Sequence, residues 1–513
     1  MHTCPNLLRA NLLLALATVA CDSDRKAGPP PNASPAQDAT LVVSGGGLVF
    51  APGPVLDCNT DAPDYEVLPD KPLQTLVGFG GVFNEKGWEA LGFLSQAERE
   101  EVLSSLFSPG AGLNLSLCRL PIGANDYSLS RYTLDDGAED PTMERFSIER
   151  DRQMLIPYVQ AAQALNPAMR FWASPWTPPP WMKTSNTYDS GVMRDEPAIY
   201  AAYALYLARF VEEYGKEGIP VEAVAIQNEP YIQNNYPSCR WEASQFRTFV
   251  RDYLGPTLQQ HALPTTILLG TFNDPANEKL AMAVLSDPAA RPFVSALGVQ
   301  WQGLPIARSA RGAVPGLPIW NTETDCGNHY WESGFNPDRP QNDWAYALFT
   351  WRNMRAFLFG GAELYSLWNL VLDETGKNID AKRPWPQNSP IVVDRATQKA
   401  IYTPMYYAVA HYSQYAGAGA ALLDGKGSGD VFAFRRPDGK LTVVLVNPES
   451  DPRGVRIKVG EKAYYAELPA YAFGTLLIEP AVFGSVGGPA GLDGSAGLDG
   501  SAEIDAATAV DSR

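Results

Sequence analysis

Taken as a string of apolar and polar positions, residues 76 to 373 alternate between two patterns. Short apolar runs, of the kind that fill a parallel strand buried on both faces, occur at LVGFGGVFN (76–84), LNLSLCRLPIGANDYS (113–128), MRFWASPWTPPPWMK (169–183) and VEAVAIQNEPY (221–231). They continue with TTILLGTFND (265–274), VSALGVQWQG (294–303), LPIWNTETDCG (317–327) and AELYSLWNLVLD (362–373). Between them lie stretches with a 3.6-residue apolar period, such as AIYAAYALYLARFVEEYGKE (198–217) and WAYALFTWRNMRAFLFGG (344–361). Another, SQAEREEVLSSLF, opens with Ser95 and Glu98 at capping-box spacing. Eight strand-like runs alternating with helices predict an α/β chain folded as a (β/α)₈ TIM barrel over residues 76–400. A doubly wound open sheet is the competing layout, but no GxGxxG follows the first run.

From Ile401 the period shortens to two. VFAFRRPDGKLTVVLVNPES and VRIKVGEKAYYAELPAYAFGTLLIE read as short alternating strands, with an Asp-Gly turn in RPDGK (436–440). They predict a small β-sandwich over 401–482, to which the strand-rich residues 41–75 add one or two strands from before the barrel. At the amino terminus an apolar run of about nine residues, Leu12 to Ala20, has the length of a secretory h-region and is too short to span a bilayer. Residues 1–21 therefore read as a signal peptide. The Ala20-Cys21 junction resembles a bacterial lipoprotein cleavage site, which makes Cys21 a candidate lipid anchor and the protein secreted or envelope-anchored. Residues 22–40 read as a Pro/Ser/Ala linker, and 483–513, with GLDGSA repeated, as a disordered low-complexity tail.

Polar residues interrupt the apolar runs where a barrel would end its strands. Arg119, Asp126, Trp176, Asn228, Glu229, Trp301, Glu323 and Trp368 each end or closely follow a run. In this fold the chemistry sits at the carboxyl ends of the strands. Pro230 bars helix at Glu229 and supplies no ladder donor, so this carboxylate is expected to be held out of the core, above the fourth strand. Glu323 is placed the same way after the seventh. The two are 94 positions apart, about three strand-helix units of roughly 31 residues each. Their strand ends then lie on roughly opposite sides of the barrel mouth, where two carboxylates can face each other across a ligand. That is the requirement for cleaving a glycosidic bond, with a proton for the leaving oxygen and a carboxylate opposite. Asn228 could bond a sugar hydroxyl, Trp176, Trp301 and Trp368 could stack on a sugar ring, and Arg119 could keep a carboxylate ionised.

Composition narrows the ligand. A net charge of −17 with no Lys/Arg stripe argues against nucleic acid and anionic membranes and suits a neutral substrate. The four histidines include no pair at ligand spacing, so no metal and no cofactor is expected. Cys58, Cys118, Cys239 and Cys326 are too widely spaced to name a disulfide pairing. A nucleophilic serine is not signalled, since GxSxG is missing. A carbohydrate-binding scaffold without turnover is the remaining alternative.

GFGGVFNEKGW (78–88), RLPIGANDYS (119–128), ASPWTPPPWMKT (173–184), QNEP (227–230), WNTETDCG (320–327) and WNLVLDETG (368–376) together resemble glycoside hydrolase family 30. So do YPSCRWEASQFRTFVRDYLGPTL (236–258) and NSPIVVD with YTPMYYAVAHYSQY, and the match runs in order from about residue 70 to 480. The resemblance implies a retaining β-glycosidase of glucosylceramidase or β-1,6-glucanase type, with xylosides, fucosides and galactans also open. It implies Glu229 as acid/base and Glu323 as nucleophile. It also implies that Asp126, Trp176, Asn228, Trp368 and Asn388 hold the sugar in the first subsite. Where members of the family often carry a His and an aromatic after the sixth strand, this chain has Gln300-Trp301-Gln302.

Overall fold

A computed structural model describes residues 28–30, 32–59, 62–380 and 382–480. The signal peptide, Cys21 and the 483–513 tail lie outside the described residues. The eight apolar runs form eight parallel strands: β1 (Gly78–Val82), β2 (Leu117–Ile122), β3 (Arg170–Pro175), β4 (Val221–Ala225), β5 (Thr266–Phe272), β6 (Val294–Val299), β7 (Ile319–Asn321) and β8 (Ala362–Asn369). The barrel closes where β8 pairs with β1, Leu364 opposite Gly78.

Size complementarity fills the interior. Trp172 and Trp320, ring centres 6.4 Å apart, share one buried cluster with Ala223, Ala225, Ala296, Leu117, Leu268 and Leu364. Small residues on β4 and β6 leave the volume that the two indoles occupy, so this end of the barrel is a packed floor. The glycines of the GFGG run have a steric cause. A Cβ on Gly80 would lie 1.9 Å from the Leu117 carbonyl oxygen, so only glycine lets β1 approach β2 this closely.

The wall of helices follows the predicted periods. α1 (Pro197–Lys216) starts with proline at its first position, where no amide is needed, and buries Tyr203, Leu207, Phe210 and Tyr214 along one face. α2 (Trp344–Phe359) is capped by Asp343, whose carboxylate accepts from the Tyr346 amide at 2.9 Å.

Several boundaries differ from the sequence reading. The eighth run is not one strand: β8 stops at Asn369, and Val371–Asp373 leaves the barrel to pair with Ile391–Asp394, which pairs in turn with Lys399–Tyr402. Both segments are apolar because both are buried, so hydrophobicity alone hides the break. The sandwich strands accordingly begin at Ala421 instead of 401, after α3 (Pro404–Ser413). The 22–40 linker is shortened, since Ser34–Pro35 pairs with Leu56 and Asp57 and a strand starts at Ala39.

The carboxy-terminal region is an eleven-stranded β-sheet domain that draws five of its strands from before the barrel, more than the one or two expected. Ala39–Gly45 pairs along its whole length with Ala472–Ile478, and Tyr65–Thr75 is inserted between Arg453–Val459 and Ala421–Gly427. Among the described residues Cys58, Cys118, Cys239 and Cys326 form no disulfide with one another.

The helix α3 joins the two domains through a buried histidine. Thr475 Oγ1 donates its only proton to the His411 carbonyl at 3.0 Å, so it accepts from His411 Nδ1 at 2.8 Å, which fixes the neutral tautomer. Burial drives the imidazole pKa down to about 3. The unfolded chain therefore takes up a proton, as pH falls below about 6.5, that the folded chain refuses. This stabilisation is complete above pH 6.5 and is lost as pH drops toward 3, to a limit on the order of 4 kcal/mol. In urea unfolding followed at pH 7, 6, 5 and 4, His411→Asn is expected to be destabilised at pH 7, with a deficit relative to the wild type that shrinks steadily as the medium becomes acidic.

Candidate active site

Above the packed floor, the strand ends surround an open cavity of about 220 Å³. Glu229 enters it from the end of β4. Its amide donates to the Thr271 carbonyl at 3.2 Å, and its backbone adopts φ of 46°, a left-handed conformation disfavoured for a residue with a Cβ. With Pro230 next, the chain turns sharply and aims the carboxylate inward instead of extending the strand. Trp301, just beyond β6, has the same backbone handedness at φ of 52°.

Arg119 on β2 is the hub of the mouth. It is fully buried, with its guanidinium centre 4.9 Å from the ring of Trp172 and 4.2 Å from that of Trp176. Nε donates to Ser174 Oγ at 2.9 Å, Nη2 to Asn228 Oδ1 at 2.6 Å and Nη1 to Glu323 Oε2 at 2.8 Å. One planar cation thus ties together β2, β3, β4 and β7. Asn228 Oδ1 also accepts from Thr271 Oγ1 at 2.8 Å. With its oxygen committed twice, the amide presents Nδ2 as a donor to the cavity it lines.

The two carboxylates occupy different electrostatic settings. Glu323 accepts from Arg119 and, through Oε1, from Trp301 Nε1 at 3.0 Å. Burial pushes its pKa up, and Arg119, foremost, with Trp301 and Gln300, pulls the other way. Among the described residues Glu229 has no cation in contact; Oε1 accepts from Gln300 Nε2 at 3.2 Å. Its pKa is raised, first by burial and then by the charge of Glu323. Asp126 is raised to about 8 by the same two causes in the same order. The protonation order follows: Glu323 ionises first, and its charge keeps the proton on Glu229.

The aromatic residues form a wall and a rim. Trp176 and Trp368 stack with ring centres 5.3 Å apart, and Tyr127 meets Trp368 edge-on at 5.9 Å. Trp368 Nε1 and Asn369 Nδ2 both donate to Gln387 Oε1, at 2.9 and 3.0 Å. Further out stand Tyr330, Trp331 and Trp385, with Trp331 more than half exposed.

Of the residues singled out in the sequence, Glu229, Glu323, Asp126, Trp176, Asn228, Trp301 and Trp368 all line this cavity, with Arg119 directly behind them. Trp301 is also tied by its indole N–H to Glu323. Asn388 is not in the wall. Its amide is spent on the Asn342 amide at 2.8 Å and the Cys326 carbonyl at 3.2 Å, splicing the loops after β7 and β8 together. Its neighbour Gln387 is the residue that faces the cavity, as do Tyr236, Asn273 and Asn378. Polar residues in loops carry no periodicity, and no signal in the chain marked these four.

A cavity at the carboxyl ends of barrel strands that holds one ion-paired carboxylate, one that retains its proton, and stacked indoles is suited to acid-assisted displacement at a sugar carbon. The comparisons agree. The profile of the glycosyl hydrolase family 30 TIM-barrel domain matches residues 76–416, and that of the family's beta sandwich domain matches residues 425–476. The lysosomal acid glucosylceramidase of Mus musculus is 28% identical over 433 residues, covering 80% of this chain and 82% of that protein. An endo-1,6-beta-D-glucanase of Trichoderma harzianum, BGN16.3, is 26% identical over 404 residues, covering 73% and 78%. The crystal structure of SrfJ from Salmonella typhimurium superposes with a TM-score of 0.75 at 26% identity, covering 86% of this chain and 99% of that one. Barrel, β-rich domain and sequence profile together establish that this chain belongs to glycosyl hydrolase family 30.

Proposed function

We propose that the protein hydrolyses β-linked glucosides with retention of configuration, using Glu229 as acid/base and Glu323 as nucleophile. The observation that carries this reading is the unequal environment of two carboxylates in one cavity. Glu323 is held by Arg119 and Trp301, while Glu229 is buried with no cation in contact among the described residues. In the first half-reaction Glu229 gives its proton to the leaving oxygen as Glu323 attacks the anomeric carbon and the aglycone departs. Esterification then removes the negative charge of Glu323. Glu229 loses the repulsion that raised it and is left as a carboxylate able to take a proton from water, which releases the sugar. Asn228 Nδ2 is available to the 2-hydroxyl, and the Trp176 and Trp368 wall to the sugar ring.

The names of the relatives support two aglycones, a lipid and a second β-1,6-linked glucose. The amino-terminal apolar run supports export, with cleavage or lipidation at Cys21.

Glucosylceramide in detergent micelles, β-1,6-gluco-oligosaccharides and aryl β-glucosides form the test panel. With the aryl substrates, the first product seen by proton NMR is expected to be the β-anomer; the α-anomer first would refute retention. Glu323→Gln should lower kcat by at least about 10³-fold while substrate binding persists. Binding without turnover in the wild type would point to a carbohydrate-binding protein instead. Arg119→Lys loses the planar guanidinium that Ser174 and Asn228 hold against Glu323, so ionised Glu323 is less well supported and the pKa of that carboxyl rises. The acidic limb of kcat/KM should then move to higher pH and the maximum fall by roughly 10²-fold. Measuring kcat/KM from pH 4 to 9 on an aryl glucoside checks both.

A further inference from the structure

One buried amide links the strand end bearing Glu229 to the strand bearing Glu323, and the mechanism above assigns it no part. Gln300 is fully buried at the end of β6, with its backbone amide donating to the Phe272 carbonyl at 2.8 Å. Its Oε1 accepts from Thr322 Oγ1 at 2.9 Å, and its Nε2 donates to Glu229 Oε1 at 3.2 Å. Thr322 precedes Glu323 in the chain, and its own carbonyl accepts from Arg119 Nη1 at 3.4 Å. The Thr322 hydroxyl has a second acceptor, the Val299 carbonyl, at the longer distance of 3.3 Å. The nearer acceptor is Gln300 Oε1, and with the hydroxyl pointed there the amide sets Nε2 toward Glu229. Rotated half a turn, Gln300 would set an oxygen against the carboxylate. As it stands, it can only donate.

We propose that Gln300 is a positioning residue for this reaction: locked by Thr322, its amide holds Glu229 in place and favours the carboxylate that must act as base when water enters. The proposal rests on Glu229 being the acid/base. Groups facing Glu229 come from several elements. Asp126, after β2, and Glu323, after β7, are the carboxyl groups; Tyr236, on the loop beyond Glu229, and Cys326, beyond Glu323, are buried weak acids; Arg119 on β2 is the cation. Arg119 is in direct contact with Glu323 and Asn228, so Gln300 is the hydrogen-bond donor in contact with the Glu229 side chain among the described residues. Burial and Glu323 raise Glu229, and Gln300 opposes them. In the free enzyme burial and Glu323 outweigh this opposition, and Glu229 keeps its proton. In the glycosyl-enzyme, with Glu323 esterified, it acts on a carboxylate no longer repelled, so its effect falls mainly on the second half-reaction.

Gln300→Met keeps the length and removes the donor. With 2,4-dinitrophenyl β-glucoside, whose leaving group needs little protonation, kcat/KM reports formation of the glycosyl-enzyme and kcat its hydrolysis. Gln300→Met is expected to lower kcat about 10- to 100-fold more than the maximum of kcat/KM. On an alkyl β-glucoside, whose leaving oxygen does need the Glu229 proton, the basic limb of kcat/KM should rise by roughly one pH unit, because the lost hydrogen bond favoured the charged form. Thr322→Val, which frees the amide to rotate, should shift both quantities the same way by less, and Thr322→Ser should restore them. Because Gln300 is buried, Thr322→Val also serves if Gln300→Met does not fold. A basic limb left in place, with kcat and kcat/KM falling together, would overturn the proposal and leave Gln300 a packing residue. Glu229→Gln separates this failure from failure of the premise: loss of the basic limb in that variant supports Glu229 as acid/base, whereas its persistence refutes that assignment and the proposal with it.

Discussion

The guanidinium of Arg119 is the constraint on which the mouth of this barrel depends. A fully buried cation is costly unless its surroundings return what water supplied, and here they do so with a carboxylate, two side-chain oxygens, a carbonyl and two indole faces. Each of those partners is held in place in return. Removing one member of such a pair commonly costs about 3–5 kcal/mol, because the other is left buried and unpaired. The arrangement therefore limits how far β3, β4 and β7 can shift relative to β2. A lysine, a point charge on a flexible stem, has no planar fork to be held by Ser174 and Asn228 and so could not be fixed against Glu323 in the same way.

From that constraint follows the inequality between the two glutamates. Both are buried, so each would retain its proton if alone. Arg119 breaks the tie in favour of ionising Glu323, and the resulting negative charge reinforces protonation of Glu229. A single cation set closer to one carboxylate thus fixes two opposite protonation states. It also makes the states interdependent, since covalent capture of Glu323 by a sugar cancels the charge that kept Glu229 protonated.

Much of this was legible in the chain, for reasons that differ by residue. Parallel strands buried on both faces leave contiguous apolar runs, so a polar residue at their ends stands out; that is how Glu229, Glu323, Arg119 and Asn228 were visible. The strand after Asn369 was misread because Leu370 and Val371 are buried as thoroughly as β8 itself, and apolarity does not record which sheet a residue joins. Asn388 and Gln387 show the same limit among polar residues. Both are buried amides side by side, one splicing two loops and the other facing the cavity, and only the partners of each amide tell them apart. Gln300 sits beside the conspicuous Trp301, yet its importance lies in the direction of one N–H bond, which no periodicity encodes.

Division of labour between strands and loops explains why the chemistry can be read more sharply than the substrate. Arg119, Asn228, Glu229, Glu323 and Gln300 sit on strand ends or directly beyond them, cross-linked over a packed floor, so their geometry is inherited from the barrel. The outer rim is made otherwise. Trp385 Nε1 donates to the Asn328 carbonyl at 2.7 Å, and Asn328 Nδ2 donates to the Pro386 carbonyl at 2.8 Å, lacing the loops after β7 and β8 to each other. His329 stacks on Trp331 at 4.4 Å and Arg383 lies over the ring of Tyr330 at 3.3 Å, so these aromatics already have one face covered. A ligand reaching past the buried sugar would meet ring edges and uncovered faces set by loop-to-loop contacts. Changes in those loops can alter the rim without disturbing the ion pair beneath it, and a barrel built this way can keep one reaction while its aglycone partners diverge.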